Sequence, residues 1–267
     1  MKDCCEELFA QLSKYLLDSG EASGENIFID GTKIEVGVFQ DRNDTNTLIP
    51  FMQNTEKILG HSYESVTADA GYENEENYLW LEQNRKTYYI KPQTYEKWKK
   101  RSFKKDISKR ENMTYIEEAD CYVCDHGRIL WNIGKQKKTS VTGYQSVQDI
   151  YRCEDCSGCP HFGGKCTRSK NAKRLLVSKV LIEKRETSLK NIMSPKGIQY
   201  RINRSIQLEG AFGVLKSDYE FTRFLTRGKI NVKIEFLLLS MGYNINKLHS
   251  KIQHNRQKTY LHELKTA

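Results

Sequence analysis

The chain has no apolar run long enough to span a bilayer. The longest one near the C-terminus, FLLLSMGY at residues 236–243, falls far short of the roughly 20 residues a membrane helix needs. The first residues, MKDCCEELFAQLSKYLLDSG, do not read as a secretory leader, because acidic residues break them early and no long apolar core follows. These two absences predict a cytoplasmic protein. No internal repeat and no low-complexity linker is seen either. Acidic residues are in deficit, with 34 Asp and Glu against 43 Lys and Arg, for a formal charge of +9. Such an excess predicts a polyanionic partner, nucleic acid being the commonest; a merely basic soluble protein is the plainer alternative. At 38% hydrophobic and 29% charged, the 267 residues are polar for an enzyme, but 10% aromatic residues argue against disorder. The length suits one large domain with an insertion, or two small domains.

Residues 3–18 place Leu8, Leu12, Tyr15 and Leu16 at helical spacing, with Gly20 able to close the helix. Residues 26–40 alternate as a strand or hairpin would. NTLIPFMQNTEKILG puts Leu48, Phe51, Met52, Ile58 and Leu59 on one helical face, with Pro50 tolerable only in the first turn. YESVTADAGY reads as a short strand entering a glycine turn. ENEENYLWLEQN reads as a helix capped by Asn74, and KTYYIKP as a strand stopped by Pro92. From Leu175 onward the pattern turns helical. The order strand, helix, strand, helix, strand, insert, helices predicts an α/β layout with an inserted Cys-rich module.

The stretch FIDGTKIEV, Phe28 to Val36, has two readings. Asp30-Gly31 between β-branched arms is a hairpin-turn signal. Equally, Asp30 is a carboxylate at a strand end that could bind a metal. Asp69 also ends a strand, where α/β proteins place their chemistry; its plainer role is to cap the turn at Gly71. Glu209 falls in the predicted helix RSIQLEGAFGVLK, near Phe212 and Leu215, and is expected to be half-buried and to need a cation or a partner. Lys216 lies about two turns on, and Arg204 close to the adjacent face. Taken alone, Glu209 reads as an ordinary ion-paired helix residue. As a set, carboxylates around two divalent metals roughly 3.5–4 Å apart can activate a water or a 3′-hydroxyl for in-line phosphodiester attack. Mg²⁺ suits such all-oxygen ligands.

FIDGTKIE, VTADAGYENEENY and IQLEGAFGVLK…RFLTRGKINVKIEFLLLSMGYNINKLH together resemble the blocks of bacterial insertion-sequence DDE transposases, in a branch with a Cys-rich insertion. The resemblance covers nearly the whole chain. It implies that Asp30, Asp69 and Glu209 bind Mg²⁺ or Mn²⁺, and that Arg204 and Lys216 contact the DNA end. It further implies an α/β, ribonuclease-H-like catalytic core, metal-dependent DNA strand cleavage, and transfer of a 3′-hydroxyl to target DNA. The implied division is 1–92 as the first part of the core, 93–174 as a basic and Cys-rich insertion, and 175–267 as a helical second part carrying the third acid. The sequence departs from the family twice. Only a short segment precedes Asp30, where the family carries a helical DNA-end-binding domain. VGVF alone joins DGTKIE to QDRNDTNTL, where the family has further strands. These departures predict an incomplete sheet, truncated at the N-terminus and internally deleted, in which Ile27–Ile29 could instead pair with Thr32–Val36.

Eight cysteines in a reducing compartment predict metal ligation rather than disulfides. Cys121 and Cys124 form one C-x2-C pair. Cys153, Cys156 and Cys159 form two overlapping ones, and Cys166 follows. Such pairs can wrap a structural tetrahedral Zn²⁺. Six candidates for four places leave the ligand set open, with His126 and His161 as possible substitutes; six reduced, metal-free thiols are the alternative. Residues 96–110, EKWKKRSFKKDISKR, hold eight basic and two acidic residues. Lys99, Lys100, Arg101, Lys104 and Lys105 are candidate phosphate contacts with Trp98 and Phe103 interleaved, against the reading of a solvated helix face. Three functions therefore compete. One is a transposase. The second is a catalytically inactive, truncated remnant that binds DNA or interferes with a full-length transposase, and the third is a stand-alone zinc-bound nucleic-acid module. The third does not account for ADAGY and LEGAFGVLK. A homo-oligomer is compatible with the first two.

Overall fold

The structure is a computed structural model and describes residues 2–29, 44–259 and 261. In chain order, helix α1 (Lys2–Asp18) leads to strand β1 (Asn26–Ile29). Helix α2 (Leu48–Leu59), strand β2 (Ser65–Ala68), helix α3 (Glu75–Gln83) and strand β3 (Thr87–Ile90) follow. Two single-turn helices come next, α4 (Tyr95–Trp98) and α5 (Arg101–Lys104). Strands β4 (Thr114–Ile116), β5 (Cys121–Val123), β6 (Ile129–Thr139), β7 (Gln145–Cys153) and β8 (Arg174–Val177) then precede helices α6 (Lys179–Met193), α7 (Pro195–Gly213) and α8 (Lys229–Gln253). Two compact units result. One joins residues 1–91 to 187–267, and the other comprises Pro92–Glu186.

In the first unit, β1, β2 and β3 form a parallel sheet in that order. The register sets Ile29 beside Ala68 and Ala68 beside Ile90. The middle strand, SVTA, is buried along its whole length, so it carries none of the alternation a one-sided strand would show. The crossovers follow their local signals. Gly60 closes α2 in the left-handed conformation, at φ 60°. The Asn74 side chain accepts the Asn77 N–H at 2.6 Å and caps α3, whose first turn holds Glu75 and Glu76. Ser194 caps α7 by accepting the Gly197 N–H at 3.0 Å, with Pro195 in the first turn. Helix α7 packs across all three strands. Its buried stripe is Gly197, Tyr200 and Asn203, and the Tyr200 ring stands edge-on to Phe28 and Tyr89. No antiparallel strand joins this sheet among the described residues, and Thr32–Val36, the partner expected of a hairpin, lie outside them.

In the second unit, β4 to β8 form an antiparallel sheet with strands neighbouring in chain order. One face packs Met113, Tyr122, Leu130, Tyr151, Cys153 and Val177 into a core. The helical pattern expected from Leu175 onward begins later than predicted. Residues 174–177 are instead β8, because RLLV finds a long-range partner in Asp149–Arg152 that outweighs local propensity. No helix among the described residues is long and apolar enough to cross a membrane.

Candidate functional site

The carboxyl ends of β1 and β2 lie side by side, since Ile29 is in register with Ala68. Asp69 follows β2 directly. Its Oδ1 accepts the Ala70 N–H at 2.7 Å and caps the single turn Ala70–Tyr72. The glycine of ADAGY has a steric reason: a Cβ at Gly71 would stand 2.9 Å from Asp44 Oδ2. Asp30 lies outside the described residues.

Helix α7, which packs on all three strands, carries Arg204 and Glu209. Arg204 Nε donates to the Ile29 carbonyl at 2.9 Å, which ties α7 to the last described residue before Asp30. Glu209 lies about 7.5 Å further along the helix axis. It is exposed rather than half-buried as expected, because it falls off the stripe of Tyr200 and Asn203. No ion-pair partner for it occurs among the described residues. Beyond α7 the backbone widens into a π-turn, Val214–Asp218, in which Leu215 is buried and Lys216 exposed. Lys216 Nζ stands 6.0 Å from the Phe212 ring centre. At the opposite end of α7, Glu25 is joined to Lys196 and accepts the Tyr200 hydroxyl at 3.0 Å. The hydrogen bond from Lys196, then that from Tyr200, holds its carboxyl below the usual range.

In the second unit, Lys99, Lys100, Arg101, Lys104 and Lys105 are all exposed, while Trp98 and Phe103 are half-buried. Cys124, Cys153, Cys156, Cys159 and Cys166 line one small cleft with Leu130 and Phe162, and Cys121 is not among its lining residues. The expected zinc staple does not follow from this convergence. Among the described residues, no three His, Cys, Asp or Glu side chains are grouped so as to hold a metal ion. Some of the sulfurs are otherwise engaged: Cys153 Sγ lies 3.3 Å from the Asp155 carbonyl and Cys156 Sγ 3.4 Å from the Lys173 N–H. Burial, then the neighbouring Cys156, pushes the Cys153 thiol up to about 12, and burial also raises Cys166. His126 and His161 pack ring edge to face at 6.2 Å.

Sequence reasoning missed a polar cluster in this unit. Asp120 accepts the hydroxyls of Tyr151 at 2.5 Å and Tyr115 at 2.7 Å, the Asn132 amide at 2.7 Å and Lys179 Nζ at 2.9 Å. Burial works to raise its carboxyl, but those hydrogen bonds outweigh it and hold the group well below the usual range. Tyr151 and Lys179 lie 31 and 59 residues further along the chain, so no local pattern announces the cluster.

Residues 123–249 match the family model described as "Transposase DDE domain". The match spans most of the antiparallel sheet, α6, α7 and most of α8, and includes Arg204, Glu209 and Lys216; Asp30 and Asp69 precede it. No curated protein and no solved structure matches the chain. The family match and the mixed α/β fold support a transposase-type function with DNA as partner, and the parallel sheet is consistent with a ribonuclease-H-like core.

Proposed function

We propose that the chain is a DDE-type transposase that cleaves DNA strands and transfers a 3′-hydroxyl to target DNA during movement of an insertion sequence. The carrying observation is the match to the transposase DDE domain over the segment that contains Glu209. The placement of α7 against the strand ends adds to it, with Arg204 on the carbonyl of Ile29 and Ile29 in register with the residue before Asp69. In this reading Asp30, Asp69 and Glu209 would hold Mg²⁺ or Mn²⁺, and the bound cations supply activation of the attacking oxygen and charge neutralisation at the phosphate. The chain's own contributions are positional. Ala70's N–H fixes the rotation of the Asp69 carboxylate. Arg204 anchors α7, and exposed Lys216 offers a cation to a phosphate of the DNA end. The exposed lysines and arginines of residues 97–105 add sequence-independent backbone contacts whose strength falls with salt.

The test is a cleavage and strand-transfer assay with Mg²⁺ on DNA carrying the sequences that flank the coding region. Wild type is expected to release a 3′-hydroxyl end and join it to a target plasmid, and D69N and E209Q to bind DNA but not cut it. Cleavage that survives both substitutions overturns the assignment of the acids. DNA binding without cleavage by wild type would instead identify an inactive, interfering remnant. That alternative is favoured by one observation: among the described residues the parallel sheet has only three strands.

A further inference from the structure

The antiparallel sheet packs only one of its faces into the core. The other carries a row of side chains in cross-strand register, Ile116, Cys121, Trp131, Arg152 and Arg174, one from each strand; Cys121 is covered, at 1% exposed, and the other four are open. The alternation confirms the facing. Leu130, Tyr151, Cys153 and Val177 belong to the buried side, whereas Trp131 is 43% exposed and both arginines are exposed. Arg174 Nη2 donates to Gln136 Oε1 at 2.9 Å, which places Gln136 on the same open face.

Two features of this row are unexplained by folding. First, Arg152 and Arg174 stand directly opposite each other on β7 and β8. Like charges in that position destabilise a sheet. Neither is neutralised by a carboxylate; Arg174 has the neutral Gln136 amide, and Arg152 has no side-chain partner among the described residues. Second, a large indole is left in solvent beside them. Its Nε1–H points to Glu154 Oε2 at 3.4 Å, which fixes the ring's rotation. Neighbouring strands are about 4.8 Å apart, so the indole and the two guanidinium groups form one continuous strip. Lys138, on the same face further along β6, extends the positive charge.

We infer that this open sheet face is a docking strip for single-stranded nucleic acid, with an unpaired base stacked on Trp131 and adjacent phosphates held by Arg152 and Arg174. An anion between the arginines relieves their repulsion and meets their planar forks. A base offers its π-face to the indole only when no neighbouring base covers it, which selects a single strand over a duplex. The charge of +9 points to a polyanion rather than to an acidic patch on a protein. The inference rests on the reading of nucleic acid as the partner, and it adds a surface in the second unit that uses none of the acids of the proposed active site.

The experiment is anisotropy titration of the full chain against a fluorescein-labelled oligothymidylate of about 16 nucleotides and a blunt duplex of equal length, across a salt series. W131A is expected to weaken single-strand binding roughly 5- to 150-fold while leaving duplex binding nearly unchanged, and W131F to retain most of the affinity. The double variant R152Q/R174Q should lower the slope of log Kd against log salt by about 1.4, at about 0.7 for each phosphate left unneutralised. The inference is overturned if W131A binds oligothymidylate as wild type does, or if single-strand and duplex binding fall together. It is equally overturned if only phosphatidylserine vesicles are bound at this face. Failure of wild type to cleave DNA would sink the transposase reading without moving any of these binding outcomes, so the two can fail separately.

Discussion

Replacing Asp120 by Asn tests the polar cluster of the second unit. Asp120 sits at φ 43°, a left-handed conformation that Asn adopts readily, so D120N preserves backbone and volume and changes only the carboxylate. Oδ1 accepts Tyr151, Tyr115 and Lys179, and Oδ2 accepts Asn132. In the variant, the amide nitrogen has to face one of these donors. The least costly choice is Asn132, which must then turn over and give up the Gly134 N–H it accepts at 3.0 Å, a loss of about 1 kcal/mol. The two tyrosines exchange a charged acceptor for a neutral one, at about 1 kcal/mol each, and Tyr151 is fully buried, so water cannot compensate. Lys179 is half exposed, and its ion pair contributes at most about 1 kcal/mol after screening. The total is about 3 to 4 kcal/mol. Guanidinium unfolding in a W80F background reads it out, because Trp98 and Trp131 both lie in the second unit. The pH dependence supplies the sign. A carboxyl whose folded value is depressed stabilises the protein above its unfolded value of about 3.9 and loses that contribution as pH falls toward the lower folded value. Wild type and D120N should therefore converge in stability as pH drops below about 4. A difference under about 0.5 kcal/mol at neutral pH, or one unchanged on acidification, would refute the reasoning.

S188A removes a fully buried hydroxyl that bridges the N–H and C=O of Ile90 on the edge strand β3, at 3.2 and 2.6 Å. It should cost about 2 kcal/mol in thermal unfolding of the first unit, and an unchanged Tm would mean that water replaces the bridge. G197A drives a Cβ to 2.0 Å from the Asn191 carbonyl and should destabilise by at least about 2 kcal/mol, whereas G210A meets nothing within 4 Å and should be neutral or stabilising by up to about 1 kcal/mol. Parallel denaturation curves of the two variants decide the point. Cys153, with its thiol pushed up to about 12, should be alkylated by iodoacetamide at pH 8 far more slowly than exposed Cys4, its rate rising toward alkaline pH; mass-spectrometric mapping that finds equal rates would contradict the buried assignment.

Elements with local causes were legible. Asn74, Gly60 and the apolar face of LIPFMQNTEKIL fix α2 and α3 through caps and periodicity, which act within a few residues. The inserted sheet was not legible, because its strands owe their state to partners. RLLV reads as the start of a helix until Asp149–Arg152 are beside it. Five of the cysteines expected as ligands line one cleft, but spacing carries no information on burial, and burial is what raises the Cys153 thiol. The Trp131, Arg152 and Arg174 row was invisible for a similar reason: these residues become neighbours only through register.

The two readings of an aspartate at a strand end, turn residue or metal ligand, turn out not to exclude each other at Asp69. Its Oδ1 caps the following turn, which is the structural role. Its Oδ2 has no hydrogen-bond partner among the described residues. A carboxylate with one oxygen pinned by a backbone N–H has lost the rotation that would otherwise oppose ligation, and ligating carboxylates are commonly held in this way. The proposed role therefore depends on the cap. Replacing Ala70 by Pro would delete the N–H and should impair strand cleavage even though all three acids remain, whereas A70G, which keeps the N–H, should not. Equal activity in the two variants would separate the cap from the chemistry and leave Asp69 a turn residue alone.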